Sequence, residues 1–311
     1  MRLEHRAFLY GGPEEFLAAA VPFLRAGIEA GEAVVAVVRE ANRGALRDTL
    51  GDDARAVDLY TSEGFYVHPV RTLKDYQRIV AANAPRRVRA LAEPVWTGWD
   101  DRQLLEWTRY ESLINVVFEG SGARALCPYD RASLPEPVIE QARRTHPLLL
   151  SERTGGGAGP GEWNERYVDP VSFGTRCDRA QRFDRPGDAE YLPIEDDDLH
   201  GLRTFVAERA AAHGVGARAV RNLVTAANEV AANALRHGVP PMGLWIWRDG
   251  DEVLCEIADH GLWRPGPLTG FIPPESALDR GFGLWTVRLL VDLMELRSGW
   301  DGTFVRLRVR V

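Results

Sequence analysis

Two patterns of apolar residues alternate along the first half of the chain. Short runs that are almost wholly apolar, such as residues 33–38, are typical of strands buried on both faces of a parallel sheet. The longer segments between them have apolar residues at the three- and four-residue spacing of amphipathic helices. We therefore predict a parallel α/β domain over residues 1–150. Its predicted strands lie at 8–12, 33–38, 56–60, 88–92 and 123–127, and its predicted helices at 13–30, 73–83, 103–118 and 136–144.

The second half is organised around one long helical pattern at residues 220–235. Apolar residues form a broad stripe there, and Glu229, Asn233 and His237 follow one another at four-residue spacing on a single polar face. A preceding helix and several later elements are predicted from the same kind of pattern. They are a helix at 199–212, strands at 244–248 and 253–258, a helix at 284–293 and an alternating strand at 304–311.

Composition sets limits on the class of protein. The 311 residues suggest about two domains, and a glycine-rich stretch within 151–191 predicts a connection between domains at 1–150 and 192–311. The net charge of -7 argues against broad nucleic-acid binding. The chain has no apolar run of the roughly 20 residues needed to span a bilayer, and no signal peptide, so we expect a cytoplasmic protein without membrane contact. The three cysteines lack metal-ligand spacing and are expected to be reduced thiols.

Four short motifs in the second half carry candidate chemistry. On the polar helix face, the Glu229 carboxylate is a candidate proton acceptor and the Asn233 amide oxygen is a hard ligand suited to Mg²⁺. Asp259-His260-Gly261 follows a strand, Gly281-Phe282-Gly283 precedes a helix, and Gly302-Thr303 precedes the last strand. Each alone has an ordinary explanation as a solvated helix face, a turn, a helix cap or a hairpin. Their joint order is much more specific than any one of them.

In this order the motifs resemble the GHKL ATPase superfamily, and within it the anti-sigma-factor serine kinases. The resemblance implies an α+β sandwich of the Bergerat type, with helices on one face of a mixed sheet and ATP held between helix and lid. It implies that Glu229 is the general base or water-orienting carboxylate, that Asn233 coordinates Mg²⁺, and that Asp259 accepts the adenine amino hydrogen. The other residues that it places at the nucleotide are Gly261, Arg280, Gly281, Gly283 and Thr303.

These further residues have separate expected roles. Gly261 would let the backbone approach the base, and Gly281 and Gly283 would offer amide groups to the triphosphate at a helix N-terminus. Thr303 would support the adenine contact through water. Arg280 would pair with phosphate, or it is an ordinary surface arginine.

Residues 1–150 resemble the MEDS sensory domain through the segments 5–10 (HRAFLY), 126–130 (LCPYD) and 144–147 (RTHP). This resemblance implies a RecA-like parallel sheet with a degenerate nucleotide loop, and the sensing of a small molecule. The loop at Gly11 and Gly12 lacks the G-K-[ST] ending that holds phosphates, so we expect no nucleotide in this half.

Two sets of side chains in the first half are candidates for a ligand site. One is a set of aromatic residues and a histidine, which is more often plain core: Tyr10, Tyr66, His68, Trp96, Trp99, Trp107 and Tyr129. The other comprises His5, His68, Cys127 and His146 as ligands of a metal or haem. Their wide separation along the chain does not favour this interpretation.

Two functions remain open on the sequence. The first is an ATP- and Mg²⁺-dependent serine/threonine kinase that phosphorylates an anti-anti-sigma (STAS-type) partner and is gated by the N-terminal domain. The second is a non-catalytic anti-sigma module that sequesters a sigma factor or regulator with little ATP turnover. Trp263 stands where the family has glycine, and it would either stack near the nucleotide or obstruct it. The proline-rich lid at 264–280 also favours slow turnover. A homodimer is compatible with either function.

Overall fold

The computed structural model describes residues 2–96, 98–150, 159, 161–178, 184–195, 199–273 and 282–311, with Phe282 described in its backbone alone. The chain forms two compact units, Met1–Phe173 and Gly174–Val311. The division falls inside the range 151–191 that the sequence predicts as a connection. Within the described ranges, no helix combines the length and apolar character needed to cross a bilayer.

The first unit is a seven-stranded sheet with helices in its connections. Its strands are β1 (Glu4–Tyr10), β2 (Ala33–Val38), β3 (Val57–Thr61), β4 (Val88–Ala92), β5 (Arg124–Asp130), β6 (Leu148–Leu149) and β7 (Glu162–Trp163). Its helices are α1 (Pro13–Glu29), α2 (Glu40–Leu50), α3 (Ser62–Phe65), α4 (Pro69–Asn83), α5 (Asp101–Val117) and α6 (Glu136–Thr145). The helix α7 (Pro170–Asp178) crosses the division between the units.

The strand order of this sheet is β3-β2-β4-β5-β1-β6-β7. Every neighbouring pair is parallel except β6 and β7, which are antiparallel. The predicted parallel α/β layer is therefore confirmed, with an added antiparallel edge strand. The sequence did not predict α2, whose buried residues are only Leu46 and Leu50. Two leucines one turn apart make too short a stripe to indicate a helix.

The loop after β1 contains the glycines that occupy the position of a phosphate loop. The Gly11 amide donates a hydrogen bond to Glu15 Oε2 over 2.7 Å, and Arg131 Nη2 lies 3.0 Å from the same oxygen. The Glu15 carboxylate therefore accepts the hydrogen bond that the Gly11 amide would otherwise donate to an anion. That no nucleotide binds in this half stays a prediction.

The second unit is a five-stranded sheet covered on one face by helices. Its strands are β8 (Glu190–Pro193), β9 (Gly243–Asp249), β10 (Glu252–Asp259), β11 (Leu293–Gly299) and β12 (Gly302–Arg310). Its helices are α8 (Leu199–Ala212), α9 (Ala217–His237) and α10 (Phe282–Leu290). The strand order is β11-β12-β10-β9-β8, and all four pairings are antiparallel.

Three expectations for this unit need correction. The expectation of a mixed sheet is wrong for the described strands, because each pairing is antiparallel. The helix predicted at 284–293 ends at Leu290, and β11 begins at Leu293, a strand that the sequence did not predict. Finally, β8 joins the sheet from within the predicted connection.

The core of the second unit lies between α9 and the sheet. Along α9, Leu223, Ala227 and Ala231 are fully buried, and the helix contacts β10 and β12. Alanine is small enough to bring a helix backbone close to a sheet, and Ile257 of β10 and Leu307 of β12 belong to the same cluster. This packing brings the polar face of α9 beside the end of β10, where the candidate site lies.

Candidate functional site

A cavity of about 570 Å³ lies in the second unit, between α9, α10 and the ends of β10 and β12. Pockets that bind small molecules and cofactors typically have about 300–1,000 Å³. Five of the eight predicted site residues line it: Asn233, Asp259, Gly261, Gly283 and Thr303. Arg280 and Gly281 lie outside the described residues, and Glu229 does not line the cavity.

Asp259 ends β10 with its carboxylate in the cavity wall and is 8% exposed. Its Oδ1 accepts hydrogen bonds from the Gly261 amide over 2.6 Å and the Val239 amide over 3.2 Å. Its Oδ2 has no hydrogen-bond partner among the described residues. Burial raises the pKa of Asp259, and the two amide hydrogen bonds oppose that rise. One oxygen is thus fixed by the backbone, and the other is free to accept a hydrogen bond from a ligand.

Three glycines make the room that Asp259 occupies, two beside its carboxylate and one beside its backbone carbonyl. A Cβ on Gly238 would lie 2.7 Å from Asp259 Cγ, and a Cβ on Gly261 would lie 2.7 Å from Oδ1. A Cβ on Gly302, whose φ is +121°, would overlap the backbone carbonyl of Asp259. The sequence assigned Gly261 to the approach of a base, and the structure adds that all three glycines accommodate Asp259 itself.

Thr303 stands opposite Asp259 in the register of β10 and β12. Its hydroxyl donates to the Gly261 carbonyl over 2.8 Å and accepts from the Trp263 amide over 3.3 Å. The Ser298 hydroxyl lies 3.4 Å from it and donates to the Trp263 carbonyl. Thr303 therefore holds the loop after Asp259, and its water-mediated contact with adenine stays a prediction.

The polar face of α9 carries the other two predicted residues of the site. Asn233 lines the cavity, and its side-chain amide has no hydrogen-bond partner among the described residues. Glu229 lies one turn earlier with its side chain 37% exposed, and its Oε1 is 3.9 Å from Arg236 Nη2. A Cβ on Gly283 would overlap the Glu229 carboxylate, so α10 passes directly over this residue. The missing side chain of Gly283 thus makes space for Glu229, a contact that the sequence did not predict.

Trp263 lines the cavity and is 38% exposed, while its backbone is fixed by Thr303 and Ser298. The indole therefore forms part of the cavity wall and leaves the volume described above. Of the predicted lid, residues 264–273 are described, and Pro274 and Arg280 lie outside the described residues.

In the first unit, the structure shows where the two candidate sets of side chains lie. Most of the aromatic set packs into core: Trp96 stacks on Tyr129 with ring centroids 5.8 Å apart, and Trp107 lies 5.8 Å from Tyr66. His5, Cys127 and His146, however, come together in the fold, and Glu111 replaces His68 as the fourth member of the group.

Sequence reasoning missed Glu111 in this group. It lies on α5 between Tyr110 and Leu113, in a helix that buries most of its length. An acidic residue among buried apolar positions of a predicted helix was the available signal.

Two family models match the chain. Residues 4–147 match MEDS, the methanogen/methylotroph, DcmR sensory domain, and residues 192–309 match the histidine kinase-like ATPase domain. Among functionally curated proteins, no significant match was found.

Solved structures give weak likenesses to this chain. The RsbU and RsbW domains of Rv1364c from Mycobacterium tuberculosis are 20% identical with a TM-score of 0.30, over 40% of this chain and 33% of that one. The Acinetobacter baumannii histidine kinase AdeS is 12% identical with a TM-score of 0.24, over 39% and 67%. The histidine kinase domain of the E. coli osmosensor EnvZ is 17% identical with a TM-score of 0.25, over 42% and 92%. The chain spans about a third of the first structure's length, and likenesses at these TM-scores carry no argument about activity.

Proposed function

Because the chain joins an N-terminal MEDS domain to a C-terminal histidine kinase-like ATPase domain, we propose that it is an ATP- and Mg²⁺-binding regulatory kinase. Its ATPase domain transfers phosphate to a serine or threonine of an anti-anti-sigma (STAS-type) partner, and its MEDS domain gates that transfer. The observation that carries the proposal is the cavity in which Asn233, Asp259, Gly261, Gly283 and Thr303 meet.

Adenine recognition is assigned to Asp259. Its Oδ1 is occupied by two backbone amides, so Oδ2 is the oxygen that accepts the exocyclic amino hydrogen. A hydrogen bond to a buried charged acceptor contributes more than one to a neutral acceptor, since water does not readily replace it when it is lost. Thr303 and Ser298 keep the loop after Asp259 in place for this contact.

The unpartnered amide of Asn233 fits a Mg²⁺ ligand, because it faces the cavity as a neutral oxygen donor. When bound, Mg²⁺ neutralises charge on the phosphates. Glu229 orients the hydroxyl of the partner and accepts its proton, and its carboxylate is partly exposed. The Gly283 amide lies in the first turn of α10, where the helix dipole favours an anion. Gly281 and Arg280 remain predicted phosphate ligands.

One observation favours the alternative of a non-catalytic anti-sigma module. Glu229 is not among the residues that line the cavity, and α10 covers it through Gly283. A carboxylate in that position serves transfer only if α10 or the lid moves to expose it. In the alternative, nucleotide binding without turnover would set the shape that a sigma factor or regulator recognises.

The binding half of the proposal is tested by calorimetry with Mg²⁺ and ATP. Asp259→Asn should weaken ATP binding about 10–100-fold, since it places an amide donor against the adenine amino group. The matched control is Asp251→Asn in the exposed turn between β9 and β10, which should bind as the wild type does. Equal affinity for the wild type and Asp259→Asn would refute the adenine contact.

The catalytic half is tested with a purified STAS-domain protein and ATP, by mass spectrometry of the phosphorylated residue. Glu229→Gln should keep ATP binding and lower the transfer rate by about 100-fold or more. Glu208→Gln on the exposed side of α8 is the matched control. Wild-type protein that binds ATP and the partner without any transfer would favour the non-catalytic module.

A further inference from the structure

The MEDS domain contains a cluster of four ionisable side chains that the proposed function does not use. His5, Glu111, Cys127 and His146 are all buried, and one ligand atom of each lies within 4.8 Å of the others. His5 lies on β1, Glu111 on α5 and Cys127 on β5, and His146 follows the last residue of α6. Strands β1 and β5 are parallel neighbours with Ala7 opposite Cys127, so His5 and Cys127 project from the same face of the sheet.

The hydrogen bonds around the cluster fix both imidazoles in one tautomer. The Asn115 side-chain amide donates to the carbonyls of Ser112 and Thr145, which leaves Asn115 Oδ1 to accept from His5 Nδ1 over 3.0 Å. His146 Nδ1 lies 2.8 Å from the Ala142 carbonyl and donates to it. In both histidines the Nδ1 atom therefore carries the proton, and the Nε2 lone pair points into the cluster. Metal-bound histidines are held by such outer hydrogen bonds.

The backbone around His146 is fixed as well. The Asn164 side-chain amide donates to the His146 carbonyl over 2.7 Å and to the Arg143 carbonyl. The position of His146 after α6 is thus held from a second segment of the unit. A ligand that is oriented before the ion arrives loses little freedom on binding.

Three of the six distances between ligand atoms of the cluster match those between ligands of one ion, and the other pairs lie within 4.8 Å. His5 Nε2 lies 3.4 Å from Cys127 Sγ and 3.8 Å from Glu111 Oε2, and His146 Nε2 lies 3.6 Å from Glu111 Oε2. Tetrahedral Zn²⁺, with bonds of about 2.0–2.3 Å, holds its ligand atoms about 3.3–3.8 Å apart. The two distances to Glu111 are too long for hydrogen bonds, so a proton shared with either histidine does not explain the arrangement.

Two atoms of the cluster have no hydrogen bond in the part of the chain that the structure describes: Glu111 Oε2 and His146 Nε2. Both are buried, with side chains 4% and 0% exposed. Unsatisfied polar atoms in a protein interior are costly and call for a partner such as an ion.

We propose that His5, Glu111, Cys127 and His146 form a binding site for a divalent transition-metal ion of the Zn²⁺ type. One thiolate, one carboxylate and two neutral imidazoles carry two negative charges in total, which a divalent cation balances. Mixed nitrogen, oxygen and sulfur donors suit Zn²⁺ and exclude Ca²⁺ and Mg²⁺, which bind through oxygen. An apolar cavity of about 50 Å³ borders His5, Glu111 and Cys127.

The test uses the full chain without an affinity tag, stripped of metal by a chelator and then returned to chelator-free buffer. Titration with Zn²⁺ against a chromophoric competitor should give one tight site per chain. Titration with Co²⁺ should give a thiolate-to-metal charge-transfer band and the visible absorption of a tetrahedral ion.

Cys127→Ser should remove the charge-transfer band and weaken Zn²⁺ binding at least about 100-fold. Its matched control is Cys255→Ser, which changes a buried cysteine in the other domain. This substitution should leave the charge-transfer band and the Zn²⁺ affinity unchanged. Because Cys127→Ser could disturb the core, the isosteric Glu111→Gln provides a second test, with circular dichroism to verify folding. Glu111→Gln should keep the charge-transfer band and weaken binding at least about tenfold.

Three outcomes would overturn the proposal. They are no tight Zn²⁺ site in the wild type, a Co²⁺ spectrum without thiolate character, or a folded Glu111→Gln that binds as tightly as the wild type. None of these measurements depends on ATP, so the metal site can fail while the proposed kinase function stands, and the reverse is also true.

Discussion

At the scale of single residues, Asp259 combines its proposed contact with adenine with a cost in stability. Folding removes most of its carboxylate from water, and two backbone amides compensate only one oxygen. Residues placed for binding commonly lower stability in this way. Because burial raises the pKa of Asp259, this cost should appear as a change of stability with pH.

The pH dependence of stability should identify this cost. A carboxyl with a raised pKa in the folded state contributes stability below its unfolded value, 3.8, and loses it as the pH rises through the folded value. Asp259→Asn has no charge to bury, so it should gain stability relative to the wild type from about pH 3 to about pH 7. Urea unfolding at each pH measures the difference, with Asp251→Asn to correct for the change in net charge. A difference that stays constant with pH would contradict this account of Asp259.

The glycines around Asp259 give a second prediction at this scale. Gly302→Ala forces a Cβ onto the Asp259 carbonyl at a φ of +121°, so it should lower the free energy of unfolding by about 2 kcal/mol or more. Gly299 pairs with Gly302 in the same hairpin, and a Cβ there meets no atom within 4 Å. Gly299→Ala should therefore change stability by less than about 0.5 kcal/mol. Equal effects of the two substitutions in thermal unfolding would show that the crowding at Gly302 is unimportant.

The site residues that the sequence predicts are those that belong to a short motif of neighbouring residues. Asp259, Gly261 and Thr303 could be identified because short patterns mark them, and the structure brings them to one cavity. The contact of Gly283 with Glu229 joins positions 54 residues apart, and Glu111 joins three residues from other elements. Such contacts depend on how elements pack, and no pattern within one segment encodes them.

At the scale of elements, the five-stranded sheet carries ion pairs on the face opposite the helices. Glu256 of β10 and Arg306 of β12 are directly opposite, both almost fully buried, and joined by hydrogen bonds of 2.9 and 2.6 Å. Glu295 of β11, which stands opposite Arg306 in the register, accepts a hydrogen bond from Arg308 Nε over 3.0 Å. A buried pair of this kind is costly to break because removing one partner takes away a counter-charge while the other charge stays out of water.

Breaking the central pair should therefore destabilise the unit strongly. Glu256→Ala should lower the free energy of unfolding by about 3–5 kcal/mol, since it removes the buried carboxylate that accepts two hydrogen bonds from the Arg306 guanidinium. Glu190→Ala in β8 removes a half-exposed carboxylate from Arg209 and should cost less than about 1 kcal/mol. Urea unfolding compares the two substitutions, and similar losses would mean that burial does not govern the strength of these pairs.

The elements missed by the sequence have separate causes. The strand β11 was missed because the helical pattern was extended to Leu293, its first residue, although Met294 and Leu296 alternate with the charged Glu295 and Arg297. The helix α2 presents too few apolar residues to reveal its period. The longest helices, α1, α5 and α9, were predicted to within a few residues because several turns repeat the same stripe.

At the scale of the whole molecule, each unit has a hydrophobic cluster of its own. Leu46 belongs to the cluster of the first unit, and Leu223 to that of the second. Both leucines are 0% exposed. Units with separate cores unfold in separate steps unless an interface couples them.

We therefore expect two transitions in differential scanning calorimetry of the whole chain. Mg²⁺ with ATP should raise the temperature of only one of them, since a ligand stabilises the unit that binds it. Leu223→Ala should lower that same transition, by a loss of about 2–5 kcal/mol, and Leu46→Ala should lower the other by a similar amount. A single transition that both substitutions and the nucleotide shift together would show that the units unfold as one.

The contact between Gly283 and Glu229 has a mechanical consequence. With no side chain between the α10 backbone and the carboxylate, a shift of α10 by a fraction of an ångström changes the space that Glu229 can occupy. A displacement of α10 would therefore also change the orientation of the Glu229 carboxylate. A movement of α10 on substrate binding would then also set the position of the Glu229 carboxylate for proton transfer.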